Sequence, residues 1–189
     1  MLQQFSISFL LKPGSVDIDL DDAMTMTPDL KNIVGYLEQH QLKIATAESC
    51  TAGLIASTLA EIPGCAAWLE CAFVTYSPDA KIRCLNVKKE TIDRFNLTGE
   101  EIAREMAQGA LAISKANVAV SDTGVAGPSN GDSEIAVGTV SFAWAFDKNG
   151  TTKTFSETRK FDGDRNTVRE CAARYAICRI SHYHRTLNL

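Results

Sequence analysis

Between Pro28 and Thr123, strand-sized apolar runs alternate with segments of helical spacing, and beyond Val137 the pattern changes to two β-rich runs joined by a tight turn. Alternation of this kind leads to parallel strands connected by helices, and a terminal hairpin adds antiparallel strands to the same sheet. Pro28 opens a helix with Leu30, Ile33, Val34 and Leu37 at core spacing. A strand at 43–47, a helix at 50–61, a strand at 70–76 and a short helix from Pro78 to about Leu85 follow. Thr98-Gly99-Glu100-Glu101 reads as a capping box for a long helix reaching Lys115, and residues 117–123 read as a buried strand. Val137 to Phe146 and Thr151 to Phe161 form a hairpin about Asp147-Lys148-Asn149-Gly150, because Asn-Gly supplies the positive φ values of a tight turn. A helix from Asn166 to about Ser181 closes the chain. The expected architecture is α/β, a three-layer α/β/α sandwich with a mixed sheet. Residues 28–189 form this domain, and residues 1–27, apolar at first and then acidic, form an N-terminal arm that is an added strand, an oligomer contact or disordered.

With 189 residues, 45% of them hydrophobic and 22% charged, the domain can bury a proper core. The net charge of −4, with Lys and Arg scattered among acids, argues against a nucleic-acid footprint, which needs a clustered basic surface. No apolar run is long enough to span a membrane, and the N-terminus does not carry a basic region followed by an apolar run and a small-residue cleavage site, which argues against secretion. A cytoplasmic protein without a membrane partner is expected. The six cysteines, Cys50, Cys65, Cys71, Cys84, Cys171 and Cys178, contain no C-x-x-C pair and have no histidine at ligand spacing. They read as reduced thiols, with Cys171 and Cys178 on one helical face as packing residues, and no metal site or cofactor is expected. His40 ends a helix, and His182 and His184 fall in a C-terminal tail expected to fray.

Polar clusters end the predicted strands, and strand ends on one edge of an α/β sheet converge on one crevice. Ala47-Glu48-Ser49-Cys50-Thr51-Ala52-Gly53 places a serine at a helix start. There it can cap the helix, or attack a carbonyl whose oxyanion meets the free N–H groups of the first turn. Capping is the simpler reading of the segment alone. Lys81, one turn into the helix after the strand bearing Thr75 and Tyr76, is either a solvated charge or, if buried in the crevice, a base of lowered pKa for Ser49. Tyr76 then relays or fixes that proton, or simply ends an amphipathic strand. The run Gly124-Val125-Ala126-Gly127-Pro128-Ser129-Asn130-Gly131 is glycine-rich enough for its backbone to approach a ligand, yet is neither a Walker loop nor a dinucleotide fingerprint. Glu48 and Asp164 read first as caps or ion-pair partners, and Arg165, near a helix start against the dipole's preference, suggests an anion to hold.

Five ordered motifs carry a resemblance. Ala47-Glu48-Ser49-Cys50-Thr51-x-Gly53, Phe73-Val74-Thr75-Tyr76-Ser77-x-x-Ala80-Lys81, Gly124-Val125-Ala126-Gly127-Pro128, Val137-Gly138-Thr139-Val140 and Gly163-Asp164-Arg165-x-x-Val168-Arg169 resemble those of the CinA C-terminal domain family, the nicotinamide-nucleotide amidases. The likeness covers about residues 28 to 185. It implies hydrolysis of the carboxamide of nicotinamide mononucleotide to nicotinate mononucleotide and ammonia, in pyridine-nucleotide salvage, without a metal. By the same resemblance Ser49 is the nucleophile, Lys81 the base, Tyr76 and Thr123 supporting hydroxyls, and Arg165 a substrate or oxyanion contact. Thr51, Gly53, Gly124 and Gly127 then line a small-molecule nucleotide, and a homo-oligomer is the expected assembly.

The chain also departs from that pattern. Ala52-Gly53 stands where the family usually has two glycines, Pro128-Ser129-Asn130-Gly131 is less glycine-rich, and Ile135-Ala136 replaces Lys-Pro. An alanine methyl can crowd a backbone-lined pocket, and loss of a lysine can remove a phosphate contact. Two other readings therefore stay open: an amidase of another small carboxamide, and a weakly catalytic paralogue that binds a nucleotide-like ligand.

Overall fold

The computed structural model describes residues 30–129 and 134–187; the N-terminal arm and Asn130 lie outside them. Five strands, β1 (Ile44–Glu48), β2 (Leu69–Val74), β3 (Val118–Gly124), β4 (Thr139–Lys148) and β5 (Thr151–Lys160), form one sheet in the order β2-β1-β3-β4-β5. β1 is parallel to β2 and β3, while β3, β4 and β5 are successively antiparallel. The helices are α1 (Leu30–Gln39), α2 (Leu54–Ala60), α3 (Pro78–Leu85), α4 (Lys89–Phe95), α5 (Glu100–Ile113) and α6 (Arg165–Thr186).

The two sheet faces differ in side-chain size, and this sets how each helical layer packs. Ile44, Val118, Val120, Phe142, Trp144 and Phe146 fill one face against Leu37 of α1, Ile55 and Leu59 of α2, and Val168, Ala176 and Ile180 of α6. The opposite face is almost all alanine, with Ala45, Ala47, Ala119, Ala143 and Ala145 meeting Ile102, Met106, Ala107 and Ala110 of α5 and Leu85 of α3. Small residues let α5 lie close, whereas the large ones hold α1 and α6 on a thick apolar layer. The result is the expected α/β/α sandwich with a mixed sheet.

Local chemistry sets several boundaries. Ser77 caps α3 by accepting from Ala80 N at 3.1 Å, and Pro78 follows at the first helical position. Elsewhere the expectations need correction. α2 begins at Leu54 rather than residue 50, because Ala52 (φ 54°) and Gly53 (φ 96°) are both left-handed and cannot continue into a right-handed helix. The capping box ahead of α5 does not form: the N-cap is Gly99, and the Thr98 hydroxyl and N–H both donate to Asn96 Oδ1, at 2.7 and 2.8 Å. α4 has no counterpart in the reading above, since its seven residues offer only Ile92 and Phe95 as an apolar pair, too short a pattern to show a helical period. The C-terminal segment stays helical to Thr186. There Tyr183 stacks on Phe155 and packs tilted against Trp144, and His184 Nδ1 lies 2.8 Å from the Tyr36 hydroxyl.

Parallel pairing brings the carboxyl ends of β1, β2 and β3 to one sheet edge, with Glu48 opposite Val74 and Ala47 opposite Ser121. Ser49, Thr75 and Asp122 therefore emerge side by side.

Candidate active site

Ser49 leaves the end of β1 on a tight turn and is 8% exposed. Lys81, in the first turn of α3, points inward instead of to solvent and is 1% exposed. Its Nζ lies 2.7 Å from Ser49 Oγ and donates to the Thr75 carbonyl, also at 2.7 Å. Burial lowers the Lys81 pKa to about 8, against the upward pull of Asp122 and Cys50. The solvated-charge reading of Lys81 is thus excluded, and the amine can be neutral at a mildly basic pH. Thr75 Oγ1 is buried beside this pair with no hydrogen-bond partner among the described residues.

Of the two residues read as possible caps here, Glu48 takes the role and Ser49 does not. Its carboxylate accepts from the N–H groups of Gly53, Ile55 and Ala56 at 2.7, 3.1 and 2.9 Å, and from the Thr46 and Thr51 hydroxyls at 3.0 and 2.7 Å. A carboxylate from the preceding strand therefore caps α2 and complements its dipole. The first-turn N–H groups are engaged, so they do not form the oxyanion site anticipated above. Ser49 is relieved of capping, and its hydroxyl is left to Lys81.

The turn that carries Ser49 is held from both sides. Asp122 is fully buried and accepts from Cys50 Sγ at 3.0 Å and Thr51 N at 3.1 Å, while its Oδ2 lies 2.5 Å from Thr51 Oγ1. From α6, Arg169 donates Nε to the Cys50 carbonyl (3.1 Å) and Nη2 to the Thr51 carbonyl (2.9 Å). The Cys50 thiol points to Asp122, and burial pushes its pKa well up, so it stays protonated next to the serine. Neither Asp122 nor Arg169 was given a role from the sequence, although Arg169 sits inside a quoted motif and Asp122 in the polar stretch just before Gly124; each acts on residues more than 70 positions away.

Arg165 is the first residue of α6, after Asp164, which caps the helix by accepting from Thr167 N at 2.9 Å. Its Nη1 donates to the Gly127 carbonyl and its Nη2 to the Tyr76 hydroxyl at 3.0 Å. Arg165 thereby ties the 124–128 loop to the end of β2, where Tyr76 is 59% exposed. The structure places the Tyr76 hydroxyl on Arg165 and not on the lysine it was expected to assist. Thr123 donates to the Leu97 carbonyl at 2.6 Å and so anchors the connection between α4 and α5. Gly124 is required by packing as such: a Cβ there would strike the Thr139 carbonyl and come within 2.7 Å of Val140 Cα. Gly127 has φ 96° and presents its carbonyl to Arg165. Thr51 and Gly53 belong to the Glu48 network, and Ile135 and Ala136 lie on the approach to β4.

Ala52 is exposed, so its methyl group does not crowd the buried pair; what it costs is backbone strain in the left-handed region. Ala52→Gly is expected to raise unfolding stability by about 0.5–1 kcal/mol. Urea unfolding should show this as a higher midpoint at unchanged slope, and an unchanged midpoint would mean the turn absorbs the strain.

The chain matches the CinA C-terminal domain over residues 27–184. It is 43% identical over 136 residues to the nicotinamide-nucleotide amidohydrolase PncC of Escherichia coli strain K12, covering 71% of this chain and 79% of that protein. A CinA-like protein of Akkermansia muciniphila is 42% identical over 147 residues, covering 78% of this chain but only 35% of the relative, so the chain spans about a third of that protein's length. Among solved structures, a competence-damaged protein (CinA) superfamily protein from Escherichia coli superposes with a TM-score of 0.78 at 32% identity, over 88% of this chain and 94% of that one. By the extent of these matches, and with the ordered motifs converging on one sheet edge, the chain belongs to the CinA C-terminal domain family.

Proposed function

We propose that the chain is an amidohydrolase that converts the carboxamide of nicotinamide mononucleotide to the carboxylate and ammonia through Ser49 and Lys81. The observation that carries this reading is the buried 2.7 Å contact between Lys81 Nζ and Ser49 Oγ. The 43% identical relative named for this substrate gives the reading its substrate. In the first half-reaction the neutral amine takes the Ser49 proton as Oγ attacks the amide carbon. The tetrahedral intermediate then collapses, the Lys81 ammonium protonates the departing nitrogen, and ammonia leaves an ester on Ser49. Water attacks that ester with Lys81 again accepting a proton, and the carboxylate departs as Ser49 regains its hydrogen.

The test is ammonia release from a panel holding nicotinamide mononucleotide, its unphosphorylated riboside and unrelated primary carboxamides. Preference for the mononucleotide supports the assignment; release from another carboxamide alone moves the substrate, and release from none overturns the hydrolase reading. Arg165 is the cation at the mouth of this site, and an anionic phosphate can meet the N–H groups it does not use on Gly127 and Tyr76. Arg165→Ala is expected to raise KM for the mononucleotide by roughly tenfold or more, since a charge-assisted contact is worth about 1.5–3 kcal/mol. Steady-state kinetics on mononucleotide and riboside check this, and equal KM values for variant and parent would return Arg165 to a purely structural role.

A further inference from the structure

Thr51 Oγ1 stands between two buried acids, 2.7 Å from Glu48 Oε2 and 2.5 Å from Asp122 Oδ2. All three residues are fully buried. A hydroxyl carries one hydrogen and can satisfy only one of two carboxylates. Were both acids ionised, one of these short oxygen contacts would contain no hydrogen, and two negative charges would face each other without water.

The surroundings decide which acid holds the missing proton. Both Glu48 oxygens accept from backbone N–H groups at the start of α2, and an N–H cannot reverse its direction, so Glu48 is the anion. Asp122 receives a thiol and one N–H on Oδ1, and presents Oδ2 to Thr51. We infer that Asp122 is a protonated, neutral acid in the working protein, that it donates its proton to Thr51 Oγ1 while the Thr51 hydroxyl donates to Glu48, and that this hydrogen-bond chain positions the Ser49 turn while sparing Lys81 a neighbouring negative charge. Burial first, and then the charge of Glu48, raise the Asp122 pKa, in agreement with the geometry. The charged and titratable groups that act on it are Glu48 from β1, the Cys50 thiol from the turn and Lys81 from α3, while Arg169 from α6 holds the Cys50 and Thr51 carbonyls of the same turn. The link to Lys81 rests on the serine–lysine reading above, but the proton itself does not.

Infrared spectroscopy of the full chain at neutral pH tests the proton without substrate. A protonated-carboxyl carbonyl stretch is expected that shifts when aspartate is carbon-13 labelled and stays when glutamate is. Absence of the band, or a shift with labelled glutamate instead, overturns the inference, and neither result depends on the enzyme's activity or on a variant folding. The link to Lys81 is read from the pH dependence of ammonia release. Asp122→Asn reproduces the neutral acid, with an amide N–H for Thr51 and an oxygen for Cys50 and the Thr51 N–H, so its acid limb should coincide with the parent's. A limb displaced to lower pH would show that a negative Asp122 had been holding the Lys81 proton in place, and would overturn the inference. Asp122→Ala, which leaves the Cys50 thiol and the Thr51 N–H without an acceptor, should lose turnover at least tenfold more than Asp122→Asn; equal losses would count against the chain as a positioning device.

Discussion

Ser49→Ala is expected to lower ammonia release by roughly 10³- to 10⁶-fold, the range seen when a serine nucleophile is removed from other hydrolases. The fold should survive. Ser49 is not the cap of α2, because Glu48 supplies that role, and its hydroxyl meets Lys81 alone of the neighbouring side chains described above. The structural cost is that of leaving a buried amine without one partner, about 1–3 kcal/mol. Circular dichroism and urea unfolding separate this from collapse of the domain. Cys50 does not rescue the variant, since its thiol is held protonated and turned to Asp122. Near-parental turnover in Ser49→Ala would remove the serine from the chemistry altogether.

The second large effect belongs to Lys81. Lys81→Arg places a guanidinium that stays protonated at any working pH where a base is required, at a position that is only 1% exposed, and should lose at least 10³-fold in kcat/KM. Parental kcat/KM should rise through one deprotonation at about pH 8 or below, the lower side being favoured where Asp122 is neutral. The same lowered value has a consequence for stability. Because the folded pKa lies below the ordinary 10.5, Lys81 favours folding fully only above 10.5, and this contribution is lost as pH falls through about 8. Lys81→Met, which fills similar space without a charge, should therefore be inactive yet at least as stable as the parent at pH 7. Thermal unfolding of the two at pH 7 and pH 9 measures this. A methionine variant less stable than the parent at both values would mean that the bonds of Lys81 to Ser49 and Thr75 outweigh its burial.

Features set by neighbours in the chain could be read directly. Pro78 starts α3 and Asn149-Gly150 closes the hairpin, because a helix start or a tight turn needs only residues a few positions apart. The alternation of strands and helices likewise carried the layered architecture, and the polar strand ends pointed to one crevice. Lys81 was legible as a base only on condition that it faced inward, and no local pattern could state that condition. The capping box at Thr98 failed through a local competitor: Asn96 Oδ1, two residues earlier, takes the Thr98 N–H that a capping glutamate would have met, and the N-cap falls on Gly99.

By itself, then, the sequence determined the α/β class, the hairpin and the segments that converge on the site, since these follow from periodicity and short-range turn chemistry. Only the tertiary structure decided the division of labour among the polar residues. Tyr76 meets Arg165 and not Lys81, Thr123 serves Leu97, and Asp122 joins Glu48 through Thr51. Each depends on a strand register or a helix position that brings distant residues within about 3 Å, and at that range a single hydrogen bond outweighs any sequence-level preference of the residue that makes it.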